Sequence, residues 1–164
     1  MSETTALSHD AFSAIDKEIA KYPPERKSSA VMAALAIAQH ELGWISKDVV
    51  ESVAEYLDMR PIAVWEVATF YGMYNLDKPG RFKIAVCTNL PCALRGANEV
   101  ASELQKLLGI NYNETTSDGM FTLKEAECMG ACGDAPVFIV NDREMKTRIE
   151  KENLVELITE LKSK

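Results

Sequence analysis

Glu127-Cys128-Met129-Gly130-Ala131-Cys132-Gly133-Asp134 is the stretch on which the reading of this chain turns, together with Val86-Cys87-Thr88-Asn89-Leu90-Pro91-Cys92 earlier in the sequence. The two segments hold all four cysteines, spaced C-x4-C and C-x3-C with thirty-five residues between the pairs. Each lies where a β-branched or aromatic run breaks into Gly, Pro, Asn or Thr, so each reads as a loop leaving a strand. Four cysteines delivered by two loops are what a metal centre fed from two sides requires.

Outward from these loops the C-terminal half alternates between strand and helix. Arg81 to Val86 and Met120 to Ala126 read as strands, with Asn98 to Leu108 as a helix between them that turns Val100, Leu104, Leu107 and Leu108 inward. Val137 to Val140 and Glu144 to Arg148 flank Asn141-Asp142, a hairpin signal, and Asn153 to Leu161 closes the chain as an amphipathic helix. The order predicts a small mixed sheet with helices packed on it.

Before the turn Asp77-Lys78-Pro79-Gly80, which reads as a domain boundary, the pattern is helical throughout. The first ten residues are polar and expected to be loose. A helix over Asp10 to Tyr22 carries Ala11, Phe12, Ile15, Ile19 and Tyr22 on one face and ends at Pro23-Pro24. Ser28 or Ser29 is placed to cap a second helix, through Val31, Leu35 and Ala38, that stops at Gly43. Ser46 opens a third, with Val49, Val50, Val53, Ala54 and Leu57 inward, and Pro61 is the first residue of a fourth. Four short helices on tight turns predict a bundle from about Asp10 to Phe70. Phe70, Tyr71, Met73 and Tyr74 follow as an aromatic cluster, read mainly as core between two subdomains, with an interface or a cover for the centre as the other uses.

The composition, 47% hydrophobic and 26% charged over 164 residues, is that of a globular protein able to bury a core without staples. Four cysteines are too few for a disulfide scaffold, and Met1 to Asp10 has neither a basic start nor an apolar stretch, so the expectation is a cytosolic protein with reduced thiols. The longest apolar run, Ala30 to Ala38, is too short to span a bilayer, which predicts no direct membrane insertion. A net charge of −7 argues against nucleic acid as a partner and suits either a basic protein partner or simple solubility.

Soft thiolates select iron–sulfur or zinc among the common intracellular metals. Structural zinc usually takes tight C-x2-C knuckles, and a thiol–disulfide enzyme favours C-x-x-C; the x4 and x3 loops here are wider and favour two irons bridged by sulfide, leaving zinc and a redox dithiol as lesser readings. His9 and His40 lie far from the cysteines in sequence, which disfavours mixed ligation of the Rieske kind, and the three clustered cysteines of plant-type ferredoxins are absent. Gly130 and Gly133 would let the backbone approach the sulfurs and aim N–H groups at them. Glu125 and Glu127, read as solvated, bring negative charge that disfavours adding an electron. There is no G-x-G-x-x-G, no P-loop and no Ser-His-Asp arrangement, hence no recognisable site for NADH, FMN or ATP and no hydrolytic centre.

With those residues in view, the chain resembles the family of small 2Fe-2S subunits of respiratory NADH:quinone oxidoreductase, complex I. The likeness runs through Tyr22-Pro23-Pro24, Gly43-Trp44-Ile45, Ala68-Thr69-Phe70-Tyr71, Thr115-Thr116-Ser117-Asp118-Gly119, both cysteine pairs and Ala135-Pro136. It implies an α+β protein in two domains, a helical bundle over 1–78 and a thioredoxin-like 2Fe-2S ferredoxin domain over 79–164. It implies one 2Fe-2S cluster on Cys87, Cys92, Cys128 and Cys132, with no catalytic residue in this chain. The expected partners are a flavoprotein subunit carrying FMN and oxidising NADH, and a larger iron–sulfur subunit of the same complex. The expected location is cytoplasmic, peripheral to the inner membrane through that complex. The chain is also similar to the small subunits of NAD-linked formate dehydrogenases and NAD-reducing hydrogenases. A different class, a redox-inert zinc module serving assembly, remains open at this point.

Overall fold

A computed structural model of the chain describes residues 7–163. The chain divides into two compact units, Met1–Lys78 and Pro79–Lys164.

In the first unit, helix α1 (His9–Ile19) starts at Ser8, whose Oγ accepts the Ala11 N–H at 3.1 Å. The Ser8 hydroxyl and N–H also donate to Glu41, and those bonds hold the Glu41 carboxyl below its usual range. The loose start expected for the first ten residues is therefore corrected at Leu7 to Asp10: Leu7 is buried and α1 is under way at His9. Residues 1–6 lie outside the described range. Helix α1 stops short of Tyr22, which is exposed in the turn. A residue before proline is pushed out of the α region, and Tyr22 precedes Pro23.

Pro24–Ala30 form tight 3-10 turns kinked at Arg26, and these lead into α2 (Val31–Leu42). Neither Ser28 nor Ser29 caps α2 by its side chain; instead the Ser28 carbonyl accepts the Val31 N–H, so a side-chain acceptor is not needed there. Gly43, at φ 85°, ends α2 as expected. Helix α3 (Lys47–Tyr56) is capped by Ser46, and α4 (Pro61–Phe70) begins on Pro61.

The bundle core joins Ile15, Leu35, Ile45, Val49, Val53, Leu57 and Val64. Of the aromatic cluster after α4, Tyr74 alone enters this core, its hydroxyl donating to the Met32 carbonyl at 2.9 Å. Phe70 is 79% exposed, and Tyr71 and Met73 are exposed too, so these three are not part of the bundle's own core. Gln39 holds the segment on α2, its Nε2 donating to the Met73 carbonyl and its Oε1 accepting the Asn75 N–H.

The second unit is a five-stranded sheet of β1 (Phe82–Cys87), β2 (Glu114–Thr115), β3 (Phe121–Ala126), β4 (Val137–Val140) and β5 (Glu144–Thr147), in the order β2-β3-β1-β4-β5. Its helices are the single turn α5 (Leu90–Ala93), α6 (Ala97–Leu108) and α7 (Leu154–Ser163). Strands β1 and β3 run parallel, in register from Phe82 opposite Phe121 to Cys87 opposite Ala126; the other pairings are antiparallel. Parallel neighbours need a crossover, and α6 supplies it.

One sheet face carries Phe82, Ile84, Val86, Phe121, Leu123, Phe138 and Val140 against Val100 and Leu104 of α6 and Leu154, Ile158 and Leu161 of α7. The period-2 alternation of β1 sends Lys83 to the other face, where its side chain is nearly buried with Nζ 2.6 Å from Asp142. Asn141 and Asp142, both at positive φ, make the hairpin turn the sequence announces. Among the described residues, no helix is long and apolar enough to cross a membrane.

Candidate metal centre

Because β1 and β3 are parallel neighbours in register, the chain leaves both at the same end of the sheet, and the two cysteine loops meet there. Cys87 is the last residue of β1. Thr88 extends the ladder by one bond, its N–H donating to the Ala126 carbonyl at 3.2 Å. Asn89 then caps α5, its Oδ1 accepting the Leu90 N–H at 3.0 Å with Pro91 in the first turn, and α5 turns Cys92 inward. The plain loop read from the sequence thus contains a helical turn. The signal was present: Asn two residues before Pro is a helix start.

Cys87 and Cys92 are each 1% exposed, in a nest with Ala97, Ala135 and Val137 against which Met129 and Ala131 pack. Burial, followed by the hydrogen bond with Cys87, pushes the Cys92 thiol up.

The second loop is built differently. Beyond β3, Gly130 takes φ +79°, a conformation that strains any residue with a Cβ, and its N–H points at Cys128 Sγ, 3.4 Å away. That is the sulfur-directed N–H expected of Gly130. Gly133 lies in the short 3-10 turn Cys132–Asp134. Cys128 and Cys132 are exposed with their sulfurs 3.4 Å apart. The Gly130 N–H, then the hydrogen bond with Cys132, hold Cys128 below the usual thiol range, while the same bond pushes Cys132 up. Asp134 is fixed by Arg148, whose Nη2 and Nε donate to its carboxylate at 2.7 and 3.1 Å. The Ala135–Pro136 peptide, which is cis, leads back into β4.

Two carboxylates flank the site, and each is held from the opposite loop. Thr88 Oγ1 donates to Glu125 Oε1 at 2.7 Å, and Asn89 Nδ2 donates to Glu127 Oε2 at 3.0 Å. Both glutamates are exposed, as expected, but neither is free of protein partners.

The donor set fits an iron–sulfur cluster. Its sulfurs come as two pairs, one buried and one exposed. Two irons bridged by sulfide take thiolates two and two. His9 and His40 belong to the first unit, on α1 and α2.

Residues 15–162 match the thioredoxin-like 2Fe-2S ferredoxin family, and the chain belongs to it. Its cofactor is one 2Fe-2S cluster, and its fold class is the α+β architecture that the resemblance implied. A subunit of the NADH-quinone oxidoreductase of Rickettsia prowazekii (strain Madrid E) is 45% identical over 150 residues, covering 89% of this chain and 85% of that protein. NADH dehydrogenase (ubiquinone) flavoprotein 2, mitochondrial, of Dictyostelium discoideum is 43% identical over 129 residues; these are 78% of this chain and 52% of that protein, so the chain spans about half of its length. A solved NAD+-reducing NiFe hydrogenase in the H2-reduced state contains a similar fold, with a TM-score of 0.71 at 19% identity over 82% of this chain and 22% of that one.

Proposed function

We propose that this chain is the electron-transfer subunit that holds a 2Fe-2S cluster on Cys87, Cys92, Cys128 and Cys132, next to the FMN-containing, NADH-oxidising flavoprotein of an NADH:quinone oxidoreductase. The observation that supports the reading is the meeting of the two cysteine-bearing loops at one end of the parallel β1/β3 pair, in a chain 45% identical to the Rickettsia NADH-quinone oxidoreductase subunit. When bound, the cluster takes up and gives back one electron at a time. The chain's own residues supply the thiolates, the Gly130 N–H toward Cys128, and the apolar nest that keeps water from the inner pair.

NADH delivers a hydride, and a flavin converts that two-electron step into single ones. No dinucleotide fingerprint occurs in this chain, so the flavin belongs to a partner. A larger iron–sulfur subunit completes the proposed complex, through which this chain is held at the cytoplasmic face of the inner membrane. We take the chain as two domains, 1–78 and 79–164, a division supported by its two compact units. The exposed side chains of Phe70, Tyr71 and Met73 give the bundle an apolar centre for docking, with the acidic surface as the charged rim.

The test is NADH consumption with an artificial electron acceptor. The isolated chain should hold its cluster and oxidise no NADH; with the flavoprotein partner added, the cluster should be reduced by NADH. Substantial flavin-free turnover by the isolated chain would overturn the subunit reading. The chains that copurify distinguish this complex from a formate dehydrogenase or hydrogenase.

A further inference from the structure

The two cysteine loops are joined by more than the strand ladder. Asn89 stands at the crossing point, three residues before Cys92, and uses both ends of one side-chain amide. Its oxygen accepts the Leu90 N–H at 3.0 Å and so starts the turn that carries Cys92. Its nitrogen donates at 3.0 Å to Glu127, the residue before Cys128. A parallel bond from Thr88, the residue after Cys87, reaches Glu125 at 2.7 Å.

We infer that Asn89 is a positioning residue of the metal centre: its amide clamps the turn bearing Cys92 to the loop bearing Cys128, and Glu127 is the other jaw of the clamp. The inference rests on the four-cysteine reading of the centre. A cluster bound by two loops is only as well held as the loops are held to each other, because release begins when one pair of sulfurs moves away. Ligand-orienting partners of this kind tune affinity as strongly as many direct contacts do.

The residue type is specific to the task. One side chain must accept a hydrogen bond at one atom and donate another from a second atom, and Asn is the shortest that does so. Ser and Asp are N-caps about as good as Asn. Neither reproduces the second bond: the Ser hydroxyl lacks the reach of the amide, and Asp sets a carboxylate against that of Glu127. If Asn89 served only as a cap, both replacements would be silent.

The experiment uses the full chain loaded with its cluster. Loss of the visible absorption is followed in excess EDTA, and the EPR spectrum of the reduced cluster is recorded for each variant. Asn89→Ser should shorten the cluster lifetime roughly three- to tenfold, the net scale of one ordinary hydrogen bond, and Asn89→Asp should shorten it further. Glu127→Ala, a change at an exposed position that leaves the cap untouched, should match Asn89→Ser. The double variant Asn89→Ser/Glu127→Ala should be no worse than either single one, since both remove the same contact. Glu127→Gln keeps an acceptor oxygen and should stay near the wild-type lifetime. Wild-type lifetimes and spectra in Asn89→Ser, Asn89→Asp and Glu127→Ala would overturn the clamp while leaving the centre intact. A wild-type chain that takes up no 2Fe-2S cluster would overturn the reading of the centre and the clamp with it.

Discussion

Cys128 and Cys132 hold their sulfurs 3.4 Å apart at the exposed rim of the centre, whereas Cys87 and Cys92 beneath them are each 1% exposed. Replacing any of the four by Ala should abolish the 2Fe-2S spectrum, because one iron loses half its thiolates and the sequence has no fifth cysteine. The cluster-free chain separates the pairs. Cys87→Ala should cost it about 1 kcal/mol in urea unfolding through lost packing, and Cys132→Ala should stay within about 0.5 kcal/mol of wild type. Serine is the softer replacement, since an alkoxide can sometimes ligate iron. A full 2Fe-2S spectrum in Cys128→Ala would exclude the all-cysteine centre.

The midpoint potential should be low, near the roughly −400 mV of all-cysteine ferredoxins or below, because reduction adds charge to an already negative site. Three acidic residues adjoin the cysteines in sequence, but they do not count equally. Asp134 is offset by the Arg148 guanidinium, while Glu125 and Glu127 are held by the neutral donors Thr88 and Asn89. Glu127→Gln should therefore raise the midpoint, by roughly 10–40 mV for an exposed charge worth a few tenths to 1 kcal/mol. Asp134→Asn should raise it less. An EPR-monitored redox titration reads both shifts, and a midpoint above zero would contradict the assignment.

Gly80 sits where the chain enters β1. A Cβ there would lie 2.8 Å from the Gly119 carbonyl oxygen and 3.1 Å from the carbonyl carbons of Met120 and Phe121. All three are backbone atoms of the neighbouring segment, which cannot swing aside as the end of a side chain can. Gly80→Ala should cost roughly 1–3 kcal/mol, seen as a lower urea midpoint at unchanged slope.

In the bundle, the Tyr56 hydroxyl donates to Asp16 Oδ1 at 2.6 Å. That bond, helped by partial burial and by the Asp16 charge, pushes the Tyr56 phenol up to about 12. Because the folded value lies above the ordinary value near 10, the bond's contribution is fully present below pH 10 and is lost as pH rises toward 12. Denaturant melts at pH 9 and pH 11 should show a smaller gap between wild type and Tyr56→Phe at the higher pH. A gap that does not change with pH would remove the bond from the account.

Much of this was legible in the sequence because the signals were local. Pro61 starts α4, Ser46 caps α3 and Gly43 ends α2, each through its own backbone preference or a hydrogen bond within one turn. Asn141-Asp142 marks the hairpin for the same reason. The misses come from longer-range choices. Phe70 and Tyr74 look alike as an aromatic pair, and what separates them is the Gln39 brace and the Met32 carbonyl, tens of residues away. Strand β2 is two residues long and has no periodicity to detect. At the centre the cysteines stood out by spacing alone, but Thr88 and Asn89 did not. Their partners Glu125 and Glu127 become neighbours only through the parallel pairing of β1 with β3.

That pairing also sets a timetable. Cys87 leaves the ribosome about forty residues ahead of Ala126, the residue it must stand beside, a wait of roughly 2–8 s at about 5–20 residues per second. Until β3 has been made, the inner cysteines have no second pair to share a cluster with, and a metal captured then would be held by half a site. On the proposed four-cysteine centre, productive loading therefore waits for β3 and the loop that follows it. In the folded chain Cys87 and Cys92 are covered, so on the proposed centre the exposed sulfurs of Cys128 and Cys132 are the side that faces solvent.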